Sequence, residues 1–392
     1  MTSFYELVQP TQWATPPEMY SFSSLQEIEG CPRRWQLLRS TWGEQSGYPQ
    51  RPHPKAVEGR IVHEAIELLV RALGARGLPA IGSTGFQDAV REIDFWGLFA
   101  RETTKWNERL AQHPRFGPHF VLRTPPRELA NQAIRMFREQ YVPSVSSSSP
   151  AARPDATEHR SPVNVGQLLR SRGALAEVRV EHPELPFVGI IDLVRLDGSE
   201  VDVVDFKTGK AKEGHERQVL LYGVLWWRVT GEAPSKVSLQ YLGARRTWTV
   251  TPDQLEVAEE KLGAAIDAAG GALSEHPATA RPGDGCRFCP ARARCDEGWG
   301  HFLSTSARVR SGISDVEATV ASAPSEYGFL ATRDGKEVDV VFDAAVGRRL
   351  PPLAQGDVVR MLDCVVKDEG KTFEIRPWTE VFPTLSHHAA HA

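Results

Sequence analysis

A mixed α/β domain followed by a small all-β domain is the architecture that this 392-residue sequence predicts. Three observations carry it. Between residues 174 and 207 the hydrophobic pattern has period two, and Asp197-Gly198 marks a tight turn between two of the strands. Runs on both sides of that segment repeat at helical spacing. From about residue 305 the chain turns to short alternating runs separated by turn residues.

Taken in order, residues 1–20 read as irregular, broken by Pro10, Pro16 and Pro17. Ser24 and Glu27 have capping-box spacing and predict a helix start at Ser24. Gly30-Cys31-Pro32 interrupts that helix before Arg33-Arg34-Trp35 resumes it, which puts Cys31 at a helix break. Residues 55–73 form an amphipathic helix in which Gly59, His63 and Glu67 share one face. A glycine inside a helix costs roughly 1 kcal/mol relative to alanine, so Gly59 marks a close approach one turn before His63. Residues 85–142 are mainly helical and predict an inserted helical layer over about 80–165, with a Ser/Pro-rich flexible loop at 144–162.

ALAEVRVE (174–181), FVGIIDLVRL and EVDVVDFK then read as three strands, followed by a helix carrying Gln218 and Tyr222 one turn apart. Two further strands (KVSLQYLG and RRTWTV) and a helix at 252–269 complete a main domain of residues 1–300. VEATVAS, YGFLATR, EVDVVFD, GDVVRMLDCVV and TFEIRPWTEV predict a small antiparallel sheet or five-stranded OB-like barrel at 305–385. Cys364 falls in one of these apolar strands as a core residue, and the histidine-bearing tail at 386–392 reads as disordered. If the barrel is OB-like, Tyr327, Phe329 and Trp378 are candidates to stack single-stranded bases or, equally, to fill its core.

Bulk composition excludes several classes. The net charge of −4 gives no whole-chain basic field, so nucleic-acid contact must come from local patches. No apolar run approaches the ~18 residues of a membrane span, and the first residues lack a secretory pattern, so a cytoplasmic protein is expected. In that compartment the five cysteines are thiols or metal ligands rather than disulfides.

The chemistry concentrates around the turn at Asp197-Gly198. Counting back from it puts Asp192 within a residue or two of opposite Asp205, while Asp205 and Lys207 point to one side of their strand. Two carboxylates and a lysine at strand ends are the groups needed for metal-assisted phosphodiester hydrolysis. Asp192 and Asp205 would hold one or two Mg²⁺ or Mn²⁺ ions with the Phe206 carbonyl, and His63 could complete a coordination sphere. Lys207 would sit near the attacking water, and Glu177 could orient Lys207 or reach a metal-bound water. Solvated charges at a strand edge are the plain alternative, but they give little reason for Asp and Lys to follow the apolar run VVDFK.

Four motifs appear in order: Gly59-x3-His63, Gly189-x-Ile191-Asp192, Asp205-x-Lys207 and Gln218-x3-Tyr222. Together they resemble the successive motifs of the PD-(D/E)XK nuclease superfamily in its RecB-like branch, and DFKTGK resembles that branch's core motif. The resemblance covers roughly residues 20–300. It implies a restriction-endonuclease-like mixed sheet flanked by helices and metal binding by His63, Asp192 and Asp205. It also implies catalysis by Lys207 and DNA-facing or orienting roles for Gln218 and Tyr222. Glu177 matches the family's upstream glutamate, with Glu181 as a competitor at nearby spacing.

The cysteines extend the likeness. Cys286 and Cys289 form a C-x2-C pair, Cys295 follows, and Cys31 lies far upstream. Four thiolates suit either a structural Zn²⁺ or an iron–sulfur cluster, and the spacing leaves both open. The resemblance, to AddB-type and CRISPR-associated RecB-like nucleases, implies a [4Fe–4S] cluster that clasps the N-terminal helix to the end of the domain. Arg33, Arg34 and Arg287 flank these cysteines as candidate DNA contacts. The whole predicts a metal-dependent nuclease of single-stranded DNA or DNA ends in repair, recombination or phage defence. No Walker A motif is present, so a separate helicase would supply any motor. A catalytically inactive DNA-binding subunit of the same fold is one alternative; a structure-specific or RNA-directed nuclease is another.

Overall fold

The computed structural model describes residues 9–50, 53–112, 115, 122–141, 165–304 and 312–383. The Ser/Pro-rich segment 144–162 and the histidine tail lie outside the described residues. The chain opens with α1 (Phe22–Gly30) and α2 (Pro32–Arg39), with Cys31 between them in an extended conformation. Ser21 caps α1, and Ser24 occupies the third helical position and returns a hydrogen bond to the Ser21 amide. The helix therefore starts three residues before the position that Ser24 and Glu27 suggest, and Glu27 instead pairs with Arg39.

A two-stranded ribbon, β1 (Thr41–Trp42) and β2 (Gln45–Ser46), leads to α3 (Pro54–Gly74). Three helices follow, α4 (Thr84–Glu92), α5 (Phe95–Ala111) and α6 (Pro126–Gln140), and then the short α7 (Val165–Arg172). The strands β3 (Ala174–Glu181), β4 (Val188–Asp197) and β5 (Glu200–Lys207) form an antiparallel meander. Helix α8 (Glu213–Thr230) crosses over to β6 (Lys236–Tyr241), which pairs parallel with β5. β7 (Ala244–Thr249) closes a five-stranded sheet in sequence order, and α9 (Pro252–Ala272) follows it.

Helices cover both faces of this sheet because its central strands are apolar on both sides. On one face Val201, Val203, Val237 and Leu239 pack with Leu25 and Ile28 of α1, Leu225 of α8 and Leu262 of α9. On the other, Val204 and Phe206 pack with Ile61 and Ile66 of α3 and with Phe99 and Phe137 of the helical layer.

Beyond α9, short 3₁₀ turns at Asp284–Phe288 and Arg292–Arg294 carry three cysteines into α10 (Asp296–Ser304). The C-terminal strands are β8 (Ile313–Val320), β9 (Gly328–Arg333), β10 (Lys336–Val341), β11 (Val358–Lys367), β12 (Thr372–Glu374) and β13 (Glu380–Pro383). A one-turn helix, α11 (Ala344–Gly347), lies between β10 and β11. The sheet runs β12-β10-β9-β8-β11, and β12 also pairs with β11, so five strands close into a barrel while β13 extends it. With β10 and β12 parallel, this is the Greek-key connectivity of an OB-type barrel. TFEIRPWTEV, which reads as one strand, is divided between β12 and β13. Phe329 lies in the barrel core at 6% exposure and is not a stacking surface, whereas Tyr327 and Trp378 stay exposed. Cys364 is a core residue as expected.

The barrel is bound firmly to the cysteine region. Leu362 and Phe382 share an apolar cluster with Leu37, Trp42, Cys289 and Cys295. Arg115 makes a buried bidentate pair with Glu380 at 2.8 Å on both oxygens, and Arg292 reaches Asp315 at 2.7 Å. Among the described residues no helix is long and apolar enough to cross a membrane.

Candidate active site

The site forms where three strands stop behaving as a regular sheet. The β4–β5 ladder runs from Asp197–Glu200 to Leu193–Val204, and the next position in that register sets Asp192 opposite Asp205. There a side chain replaces the backbone acceptor: the Phe206 amide donates to Asp192 Oδ2 at 2.7 Å. The Phe206 group found at Asp192 is thus its N–H, where the sequence suggested its carbonyl as a ligand. On the other side of β4, the ladder with β3 pairs Ala176 with Leu193 and Val178 with Ile191 but skips Glu177. Glu177 has φ +48°, a left-handed conformation that a glutamate adopts only when its surroundings enforce it. The result is one group in which ligating atoms of His63, Glu177 and Asp192 all lie within 4.8 Å of one another.

Two glycines allow these elements to meet. A Cβ on Gly189 would stand 2.7 Å from Leu225 Cδ1 and 2.9 Å from Tyr222 Cε1, so only glycine lets α8 lie so close on β4. A Cβ on Gly59 would stand 2.9 Å from Thr208 Oγ1, so α3 touches the loop directly after Lys207 and presents His63 one turn later.

Lys207 is held by two acceptors. Its Nζ donates to Asp205 Oδ1 at 3.0 Å and to Gln218 Oε1 at 2.8 Å, and Gln218 Nε2 donates in turn to the Tyr222 hydroxyl at 2.8 Å. The partner that orients Lys207 is therefore Gln218 on α8, not Glu177, which the left-handed turn directs to the metal-ligating group. The Q-x3-Y spacing was the available signal: it places both groups on one helix face. Lys207 Nζ also lies 2.7 Å from Asp205 Oδ2 in an ion pair, outside hydrogen-bond geometry, which leaves that buried oxygen without a hydrogen-bond donor.

The electrostatics are those of a cation site. Burial raises the Asp205 carboxyl, and the Asp192 charge raises it further, against the pull of Lys207. Burial followed by the Asp192 charge pushes Glu177 up to about 7. Burial opposes charge on His63, but Asp192 at 3.6 Å, with Asp205 and Glu177 behind it, raises its imidazole to about 9. Carboxylates that resist ionisation together need a positive partner. A divalent ion fits the donor set: opposite ligands of octahedral Mg²⁺ stand about 4.2 Å apart, close to the span of this group. The site opens into a groove of about 720 Å³ that also contains Lys55, Arg60, Lys210 and Lys212.

The four cysteines converge at a second place. A Cβ on Gly298 of α10 would meet Cys295 Sγ at 3.3 Å and Cys286 Sγ at 3.4 Å. Arg281 N donates to Cys31 Sγ at 3.5 Å, Gly283 N to Cys286 Sγ at 3.4 Å and Gly298 N to Cys295 Sγ at 3.4 Å, while the Ala291 amide serves Cys289. Each sulfur thus receives a backbone N–H, the arrangement that supports ligand thiolates. Burial raises the Cys289 thiol and pushes Cys295 to about 12, and a metal ion, if bound there, would offset that burial by favouring the thiolates. Arg33 is a correction: its guanidinium is committed to Glu297 and to the Ala278 carbonyl and is mostly buried, so it does not face a ligand. Arg34 is half-buried, with its Nε enclosed, and Arg287 is exposed beside Phe288. Glu181, the alternative to Glu177, pairs with Arg179 outside the site.

No curated protein matches the chain. A model of the PD-(D/E)XK nuclease superfamily matches residues 19–296, which include both the carboxylate group and the four cysteines. Members of that superfamily generally use divalent metal ions, and the imidazole and carboxylates gathered here are donors that such an ion accepts. On that match, which spans most of the sequence, the chain belongs to the PD-(D/E)XK nuclease superfamily.

Proposed function

We propose that the chain is a Mg²⁺- or Mn²⁺-dependent deoxyribonuclease that acts on single-stranded DNA or DNA ends. The observation that carries this reading is the group of His63, Glu177 and Asp192 within 4.8 Å of one another, beside the Asp205–Lys207–Gln218 chain of hydrogen bonds. His63, Glu177, Asp192 and the free Asp205 Oδ2 would hold the metal, which when bound supplies Lewis-acid shielding of phosphate charge and a more acidic water. Lys207 has three ammonium donors, of which Asp205 and Gln218 occupy two. The third is free for the attacking water or a phosphate oxygen in the groove that Lys207 lines. The water oxygen bonds to phosphorus and gives up a proton as a P–O ester bond breaks, and the leaving oxygen takes up a proton, directly or through solvent. Lys207 stabilises the added negative charge while Tyr222 fixes Gln218 behind it.

The cysteine centre supports a [4Fe–4S] cluster over a single zinc. Tetrahedral Zn–S bonds of about 2.3 Å set sulfurs about 3.8 Å apart. Among the described residues the only three-ligand group within 4.8 Å is the carboxylate one, so the thiols are spread wider, as a larger cluster requires. Incubating the protein with 5′- and 3′-labelled single strands, closed circles and RNA in Mn²⁺ tests the reading. Cleavage of linear DNA that Asp205→Asn removes supports it; an inert wild-type protein refutes it. A separate helicase would drive processive degradation, because Walker A spacing is absent from the sequence.

A further inference from the structure

The groove at the metal site holds more cations than the cleavage chemistry uses. Lys210 and Lys212 stand exposed in the loop after β5, and Arg60 stands exposed on α3. The Arg60 guanidinium lies over the Trp106 ring, 5.3 Å from its centroid, and that of Arg109 lies over the same ring at 4.8 Å. Several other surface arginines are in ion pairs, such as Arg217 with Glu29 and Arg91 with Asp88. Among the described side chains, Lys210, Lys212, Arg60 and Arg109 have no carboxylate partner. Two guanidiniums on one indole repel each other, and an anion beside them relieves that repulsion. Such a concentration is notable on a chain whose net charge is −4.

We infer that Lys210, Lys212 and the Arg60–Trp106–Arg109 stack form a track for the phosphates of an unpaired nucleic-acid strand, leading it past the metal-ligating group. Separated cations each take one phosphate along an extended backbone, independent of sequence. The indole holds the two exposed guanidiniums in place, and their planes can stack bases, which only an unpaired strand exposes. Helix α3 links the two functions directly, since it carries both Arg60 and His63. The inference rests on the nuclease reading and adds to it the residues that carry the strand, and its test does not depend on catalysis.

Binding of a labelled oligothymidylate is measured by fluorescence anisotropy in EDTA over a range of salt, for wild type, Lys210→Ala/Lys212→Ala and Arg60→Gln/Arg109→Gln. Each lost phosphate contact should flatten the plot of log K against log salt by about 0.7, and each double variant should bind about tenfold more weakly. A control pair, Arg348→Ala/Arg349→Ala at the exposed end of α11, should keep the wild-type slope. Wild-type slopes in both groove variants, equal losses in the control pair, or a duplex bound as tightly as the single strand would each overturn the track. Wild-type protein that binds the strand but leaves it uncut in Mn²⁺ would instead overturn the nuclease reading alone.

Discussion

Lys207 is placed by acceptors of different kinds: a carboxylate on its own strand and an amide on α8. Removing the amide leaves the charge but not its direction. Gln218→Ala should therefore lower kcat by about 10–100-fold with KM unchanged, a split that steady-state kinetics reads directly. Lys207→Ala should cost about 10²–10⁴-fold in kcat/KM while circular dichroism shows an intact fold. The acids give a pH prediction. Folding raises the carboxyl of Glu177 to about 7, so in the absence of metal its contribution to stability declines as pH rises from the unfolded value near 4.5 through 7. His63 is raised to about 9 and, without metal, stabilises the fold when protonated, a contribution lost as pH rises from 6.5 through 9. A divalent cation must displace protons from both groups. Its apparent affinity should therefore increase with pH up to about 9, by about tenfold per unit for each proton released. Isothermal titration in buffers of different ionisation enthalpy would show that release, and a pH-independent affinity would contradict it.

The strands and helices contribute by where they depart from regularity. β3 breaks its ladder at Glu177, β4 and β5 stop pairing at Asp192 and Asp205, and α3 and α8 approach through glycines. Gly189→Ala puts a methyl 2.7 Å from Leu225 and 2.9 Å from Tyr222, so α8 must shift. Overpacking of this kind costs about 1–3 kcal/mol. Because Gln218 moves with α8, the variant should lose activity beyond its loss of Tm; a variant with lower Tm but wild-type kcat would show that α8 does not govern Lys207. The 21-residue α3 is the longest reach in the site, since it joins the Thr208 contact, His63 and the helical layer.

Across the molecule, the cysteine centre and the barrel share one apolar cluster and several buried ion pairs, so they are expected to unfold together. Cys31→Ser removes the thiol that the Arg281 amide serves and separates α1–α2 from the C-terminal cysteines. If the proposed [4Fe–4S] cluster is bound there, this variant should lack the brown colour that such a cluster gives, and it should lower the Tm of nuclease domain and barrel in a single calorimetric transition. A colourless wild-type protein with one zinc would contradict the cluster. Glu380→Gln removes the carboxylate charge from the buried bidentate pair with Arg115. Breaking a buried pair in this way costs about 3–5 kcal/mol, and limited proteolysis should then release the barrel first.

Much of this was legible in the sequence because it is local. Period-two alternation, the Asp197-Gly198 turn and helical spacing fix strands and helices through short-range backbone preference, and the ordered motifs Gly59-x3-His63, Asp192, Asp205-x-Lys207 and Gln218-x3-Tyr222 pick out residues that the structure brings together. Register even set Asp192 opposite Asp205. What the tertiary structure alone decided is which partners those residues have. Glu177 joins His63 and Asp192 because a left-handed residue turns it out of the ladder, and backbone strain of that kind has no signature in a run of alternating residues. Gln218 rather than Glu177 holds Lys207 because α8 can lie on Gly189, and Arg33 is enclosed because Glu297, 264 positions away, folds onto it. Contacts between distant segments depend on packing the whole core, and no spacing rule within one segment encodes them.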